Sequence, residues 1–194
     1  SKQSAAPLRL TEQAHLAIAQ TLQSGDVAID ATAGNGHDTC FLARTVGPSG
    51  HVFAFDVQPA AIDHTTRRLA ASGLDNVTTV LENHANMTAI VPDYIHGNVG
   101  AVMFNLGFLP RSDKSIITTP DNTIPAIQTA LNLFRCGGIV TVLVYAAHAG
   151  GETEAAAVEK LLRMLDPEDF SVQTVYSKSA SSISPRLHIV TRLG

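Results

Sequence analysis

"VAIDATAGNGHDT", Val27 to Thr39, joins an apolar run ending in an acid to two glycines one residue apart and a polar turn. A run such as Val27 to Ala31, bounded by a turn, reads as a buried strand. The spacing of His37 to Val46 reads as the helix that follows, ended by Gly47 and Pro48. A strand, a tight glycine loop and a helix make the ligand-holding unit of an open α/β sheet.

The same alternation continues on both sides. Thr11 to Leu22 reads as a helix, with Ala14, Leu16, Ala17, Ile18 and Leu22 as its apolar face. His51 to Asp56 is a second strand. Pro59 to Ser72 is a helix, with Pro at its start and Gly73 just past its end. Val77 to Leu81 and Gly100 to Asn105 are the third and fourth strands, and Gly138 to Tyr145 the fifth. Between the last two, Thr119 to Phe134 is mostly helix, with Pro125 as a candidate for its true start. Glu152 to Leu165 is a helix, and Phe170 to Tyr176 and Leu187 to Arg192 close the chain as two strands. Strands alternating with helices imply a doubly wound, mostly parallel sheet with helices on both faces. The terminal pair lacks a crossover helix and must be antiparallel. Seven strands ending this way are not the usual pattern of a dehydrogenase domain.

Composition limits the classes available. At 194 residues, one single domain over 1–194 is expected. Hydrophobic residues make up 45% and charged residues 15%, which argues against disorder. Ser1 to Leu10 lacks the apolar core of a signal peptide, and no run is long enough to span a bilayer. Cys40 and Cys136 form neither a disulfide framework nor a metal-ligand pattern. Both read as buried thiols, which fits a reducing cytoplasm, and no metal is expected. A net charge of −4 argues mildly against nucleic acid but leaves room for a local basic patch.

The loop chemistry narrows the ligand. A dinucleotide fingerprint wants G-x-G-x-x-G, and its third glycine position is Thr39 here. Asp30 and Asp38 would oppose a pyrophosphate. A ligand that carries a cation and no phosphate fits better, and S-adenosylmethionine (SAM) has a sulfonium, an ammonium and two free ribose hydroxyls. Gly34 and Gly36 permit positive φ and close approach, and Thr39 completes the loop. Asn35 and Asp38 are placed for the amino-acid end of the cofactor, Asp56 for the ribose, and Gln58 and His84 for the ribose and adenine rims. The bland alternatives are a helix cap for Asp38 and a satisfied loop histidine for His84.

"MFNLGFLP", Met103 to Pro110, follows the fourth strand. At the strand end, the Asn105 carboxamide and the Leu106 carbonyl can accept two hydrogens from an amine and aim its lone pair, which is positioning catalysis.

Together "DATAGNGHDT", "FAFDVQ", "ENHANM", "FNLGFLP" and "YAAHAGGETE" resemble small bacterial methyltransferases once labelled rRNA methylases. That family is associated with the tRNA wobble uridine, where it converts 5-aminomethyl-2-thiouridine to the 5-methylaminomethyl form. The resemblance runs from about Thr11 to Ile189. It implies a Rossmann-like class I methyltransferase fold and SAM as cofactor. It also implies tRNA as partner, a homodimer, and Asn105 at the reacting nitrogen. Phe108 replaces the family's common Tyr, and Ala147 a common Gly.

An alkylamine with a pKa near ~10.4 is neutral in only about one molecule in 10³ at pH 7. The site must therefore favour the neutral amine or remove its proton. His148 and Tyr145, past the fifth strand, are the residues placed to shape or deprotonate it. "HAGGETE", His148 to Glu154, reads as a strand-to-helix turn with Glu152 favourable at the helix N-terminus. For RNA, Arg111 and Lys114 flank the active edge, with Arg9, Lys178, Arg186 and the hydroxyl-rich Ser177 to Arg186 loop as additions. An rRNA or small-molecule amine methyltransferase, an NAD(P)-dependent oxidoreductase and a noncatalytic nucleotide-binding module are the competing readings.

Overall fold

A computed structural model of the chain describes residues 8–107, 120–147, 149–177 and 181–194. Their elements are α1 (Leu10–Ala19), β1 (Val27–Asp30), α2 (His37–Val46), β2 (His51–Asp56), α3 (Pro59–Ala71), β3 (Val77–Leu81), α4 (Met87–Ile90), β4 (Val99–Leu106), α5 (Pro120–Leu133), β5 (Phe134–Val144), α6 (Gly151–Arg163), β6 (Phe170–Tyr176) and β7 (Arg186–Arg192). Short 3₁₀ turns at His84–Asn86 and Asp93–Ile95 flank α4.

The strands form one sheet in the order β3-β2-β1-β4-β5-β7-β6. Every pair among β1 to β5 is parallel, and β7 runs antiparallel to both β5 and β6. The doubly wound α/β expectation and its antiparallel terminal pair are borne out. β7 inserts between β5 and β6, an order that the pattern of apolar runs does not specify.

Two apolar layers sandwich the sheet. Leu10, Ala14, Ile18, Leu42 and Val46 pack on one face with Val52 and Leu187, and Met87, Ile127, Leu133, Val158 and Leu162 pack on the other with Phe104 and Val142. The central strand β4 is buried along nearly its whole length, which is why "VGAVMFNL" reads as a continuous apolar run.

Three expectations need correction. The buried stripe of α1 is Leu10, Ala14 and Ile18, continued by Leu22. It repeats every four residues and leaves Leu16 half exposed on the flank. α5 starts at Pro120 and runs through Pro125. Pro125 forfeits one helical hydrogen bond at a cost of ~3 kcal/mol. The buried Ile127 and Leu131 offset it, each worth about 1.5–3 kcal/mol. Cys40 is buried as expected, but Cys136 is exposed. It lies within β5 where the β4–β5 register shifts, beside Gly137 with φ +74°, and a side chain on Gly138 would sit 2.8 Å from the Arg135 carbonyl.

Candidate cofactor and active site

The sheet order reverses between β1 and β4, and the carboxyl ends of β1, β2, β4 and β5 meet around that switch point. Asp30, Asp56, Asn105 and Tyr145 sit at or just past those ends. This is where an open α/β sheet holds ligands.

Asp30 is fully buried under the glycine loop. Its Oδ2 accepts from the Thr39 hydroxyl at 2.6 Å and its Oδ1 from the Thr32 N–H at 3.1 Å. Burial, with the nearby Asp38 charge second, pushes its carboxyl up to about 7. Thr39 is likewise fully buried, so its hydroxyl is spent on fixing Asp30. Thr32 reaches the other way, and its Oγ1 accepts from the Asn105 N–H at 2.7 Å. That bond ties the glycine loop to the end of β4, a link between residues 73 positions apart that the sequence gives no sign of.

Asp56 organises the other side of the loop. Its Oδ2 accepts from Gly34 N–H at 3.1 Å and its Oδ1 from Gln58 N–H at 2.9 Å. Each carboxylate oxygen keeps further accepting capacity, which suits a ribose diol. Burial raises the Asp56 carboxyl against the lowering effect of these backbone donors. Gln58 itself is buried and holds the N-cap position of α3 without a capping bond from its side chain.

The loop is braced by α3. The Thr65 hydroxyl donates to the Gly34 carbonyl at 3.2 Å, and Arg68 Nε donates to the Asn35 carbonyl at 2.8 Å. Gly36 has φ +84°, and a Cβ there would lie 2.9 Å from the Thr65 Cα. Helix packing thus dictates Gly36 as much as any ligand does.

His84 is buried, and its Nδ1–H donates to the Ala31 carbonyl at 3.1 Å. Burial lowers its pKa to about 4, so the ring is neutral at pH 7, with Nε2 as an acceptor. It packs 5.6 Å from the Phe104 ring. The histidine is therefore satisfied at one nitrogen and stands over the first residue of the loop.

Asp38 is not the cap of α2, because Gly36 occupies that position and no side chain caps it. Its Oδ1 instead lies 2.6 Å from His15 Nε2 on α1. Tyr145 is partly exposed, and burial followed by the Asp38 charge raises its hydroxyl above the ordinary phenol value. The Leu106 carbonyl receives the Tyr145 N–H at 3.2 Å and retains one lone pair.

The structure thus gathers Gly34, Asn35, Gly36, Asp38, Asp56, His84, Asn105 and Tyr145 around one crevice. Phe108, Arg111, Lys114, His148 and Lys178 lie outside the described residues. Arg9 is exposed and pairs with Glu12 in the first turn of α1. Arg186, expected to add to an RNA patch, is buried instead. It donates to Glu159, to the Ser181 and Ser182 carbonyls at 2.9 Å each and to the Ser184 carbonyl at 3.2 Å. His15 and Thr32 are the members of the site that sequence reasoning missed. Neither carries a local signal, since each meets its partner only through the fold.

Comparison with known proteins identifies the family. Residues 52–191 match the model of the family described as "Putative rRNA methylase". The chain belongs to this family. A family member crystallised from Clostridium thermocellum is 38% identical and superposes with a TM-score of 0.91, over 97% of this chain and 100% of that one. A Streptococcus mutans methyltransferase solved in complex with S-adenosylhomocysteine (SAH) is 33% identical with a TM-score of 0.86, over the same shares. The Arabidopsis thaliana "tRNA (mnm(5)s(2)U34)-methyltransferase, chloroplastic" is 39% identical over 160 residues, 78% of this chain. The chain spans 58% of the length of that relative. The seven-stranded Rossmann-like methyltransferase sheet is thus the family's fold.

Proposed function

We propose that this protein is a SAM-dependent N-methyltransferase that methylates the aminomethyl nitrogen of 5-aminomethyl-2-thiouridine at the tRNA wobble position. The observation that carries the reading is Asn105 at the end of β4, bonded through its N–H to the loop that Asp30 and Asp56 hold in place. The Arabidopsis relative supports the substrate, and the SAH-bound Streptococcus structure supports the cofactor.

The donor set fits SAM. The buried Asp30, the half-buried Asp56 and a glycine loop without a phosphate-binding signature suit a cationic ligand with a ribose diol. Asp56 and Gln58 would hold the ribose, His84 the adenine rim, and Gly34, Asn35, Gly36 and Asp38 the amino-acid end, with Thr39 acting through Asp30. When bound, the cofactor supplies an electrophilic methyl group on a sulfonium.

The chain's own residues deal with the amine. An alkylammonium has no lone pair, so one proton must leave for each methyl gained. The Asn105 carboxamide and the free lone pair of the Leu106 carbonyl orient the amine. Tyr145, with its hydroxyl pushed up by burial, stays a neutral phenol at pH 7 and shapes the pocket by hydrogen bonding. The proton acceptor is then His148, with Arg111 and Lys114 meeting the RNA backbone.

No described helix is long and apolar enough to cross a membrane. A single domain working in the cytoplasm as a homodimer completes the proposal. A groove between α1 and the β6–β7 edge, lined by Leu8, Leu16, Val175 and Ile189 with Gln13, Gln20 and Gln173, would be covered in such a dimer. Asn105→Ala should leave SAH affinity within about threefold while turnover on tRNA falls by roughly 10³, the scale of lost positioning. Mass spectrometry of nucleosides from treated tRNA reads the product. Unchanged turnover in the variant removes the role given to Asn105, and an unmodified wobble uridine removes the substrate.

A further inference from the structure

Asp38 is held from outside the loop that carries it. His15, on the polar flank of α1, places Nε2 2.6 Å from Asp38 Oδ1 across 23 positions of sequence. A carboxylate only accepts, so Nε2 carries the hydrogen and donates it. The imidazole lies flat on the Phe41 ring of α2, with centroids 3.9 Å apart and planes within 3°. An exposed ion pair contributes little because two mobile side chains must be immobilised. Here the stack has already immobilised one of them. Only 30% of the His15 side chain and 16% of the Asp38 side chain are exposed.

The direction of this bond matters. Asp38 is in the first turn of α2, where free backbone N–H groups attract a carboxylate. No side chain caps α2, and the Asp38 Oδ1 is engaged by His15. The Asp38 charge raises the carboxyl of Asp30 and the hydroxyl of Tyr145, in each case second to burial, and its Oδ1 meets His15 of α1. Its Oδ2 receives no hydrogen bond from any described residue.

We propose that His15 is a positioning residue: it fixes the Asp38 carboxylate so that the second oxygen accepts from the ammonium of the cofactor's amino-acid end. This rests on the SAM reading and adds a residue of α1 to the cofactor site. The role is selective, because it concerns one end of the ligand and neither the adenine nor the ribose.

Two ligands and two variants test it by titration calorimetry. SAH has the amino-acid end, and 5′-methylthioadenosine lacks it. His15→Phe keeps a ring against Phe41 and removes the donor, whereas His15→Gln keeps a donor at similar reach and removes the ring. His15→Phe should weaken SAH about tenfold and shift 5′-methylthioadenosine less than twofold. His15→Gln should stay within about threefold of wild type for SAH. Wild-type SAH affinity in His15→Phe overturns the proposal, as does equal weakening of both ligands, which marks a packing role. Loss of SAH binding in a folded His15→Gln that matches or exceeds the loss in His15→Phe overturns it too. If the wild type binds neither ligand, the cofactor reading itself falls and this role goes with it.

Discussion

Two clusters of charged side chains occupy the same edge of the sheet and behave in opposite ways. At β1 and β2, Asp30 and Asp56 accept hydrogen bonds on both carboxylate oxygens, from backbone N–H groups and a threonine hydroxyl. At the start of β7, Arg186 uses its guanidinium on Glu159 and three carbonyls of the Ser181–Ser184 turn, over the Tyr176 ring. Half-buried Asp56 keeps accepting capacity toward the crevice, with buried Asp30 bracing the loop beneath it, whereas the guanidinium has four of its five donors engaged. Position at the active edge therefore does not make a charged residue functional. What separates a binding group from a structural one is the hydrogen-bonding capacity left after the fold has taken its share.

Removing the closed cluster should have the largest effect. Arg186→Ala strips the Glu159 carboxylate of its charged partner, leaving it the Tyr176 hydroxyl, and three carbonyls of the turn of the guanidinium donor. Loss of one partner of a buried pair costs about 3–5 kcal/mol. We expect a drop of that order in denaturant unfolding, with SAH affinity of the folded protein unchanged. A variant that folds normally but loses affinity for an anticodon stem-loop would restore Arg186 to the RNA surface and break the contrast.

The open cluster should respond in binding instead. Asp56→Ala removes the acceptor proposed for the ribose hydroxyls and unties Gly34. SAH affinity should fall by roughly 30- to 100-fold, about 2–3 kcal/mol. A stability loss without a change in affinity would make Asp56 a loop brace only.

Asp30 sharpens the comparison through pH. Its folded-state carboxyl is raised to about 7 from an ordinary value of 3.8, so the folded protein holds the proton more tightly than the unfolded chain. The stability contribution is full below about pH 4 and is lost as pH rises through about 7. Asn cannot ionise, and its amide can still accept from Thr32 and donate to Thr39. Asp30→Asn should therefore gain stability relative to wild type between pH 5 and pH 8. The gain is at most ~1.4 kcal/mol per pH unit. The histidines His84 and His188, both lowered to about 4 by burial first of all, act with the opposite sign between about pH 4 and 6.5 in both proteins, so they cancel in the difference. Parallel pH profiles for the two proteins would show that Asp30 is an ordinary carboxylate.

Much of this was legible in the chain. Asp30 and Asp56 announce themselves as acids closing apolar runs, and Asn105 as an amide closing another, because a strand's end and its neighbours in sequence are set locally. His84 was legible only in part: its place after β3 followed from the pattern, but its bond to Ala31 spans 53 positions. Leu16 and Pro125 misled for a related reason. Both are judged by how a helix sits on the sheet, and helical periodicity alone does not say which flank faces inward.

By itself the sequence determined the alternation of strands and helices, the antiparallel end and the acids of the crevice, since these depend on periodicity, strand ends and the chemistry of short loops. Only the tertiary structure decided that β7 separates β5 from β6, that Arg186 is sealed, and that His15 of α1 meets Asp38 of α2. Those outcomes rest on contacts between residues far apart in the chain, and a contact of that kind has no local pattern to betray it.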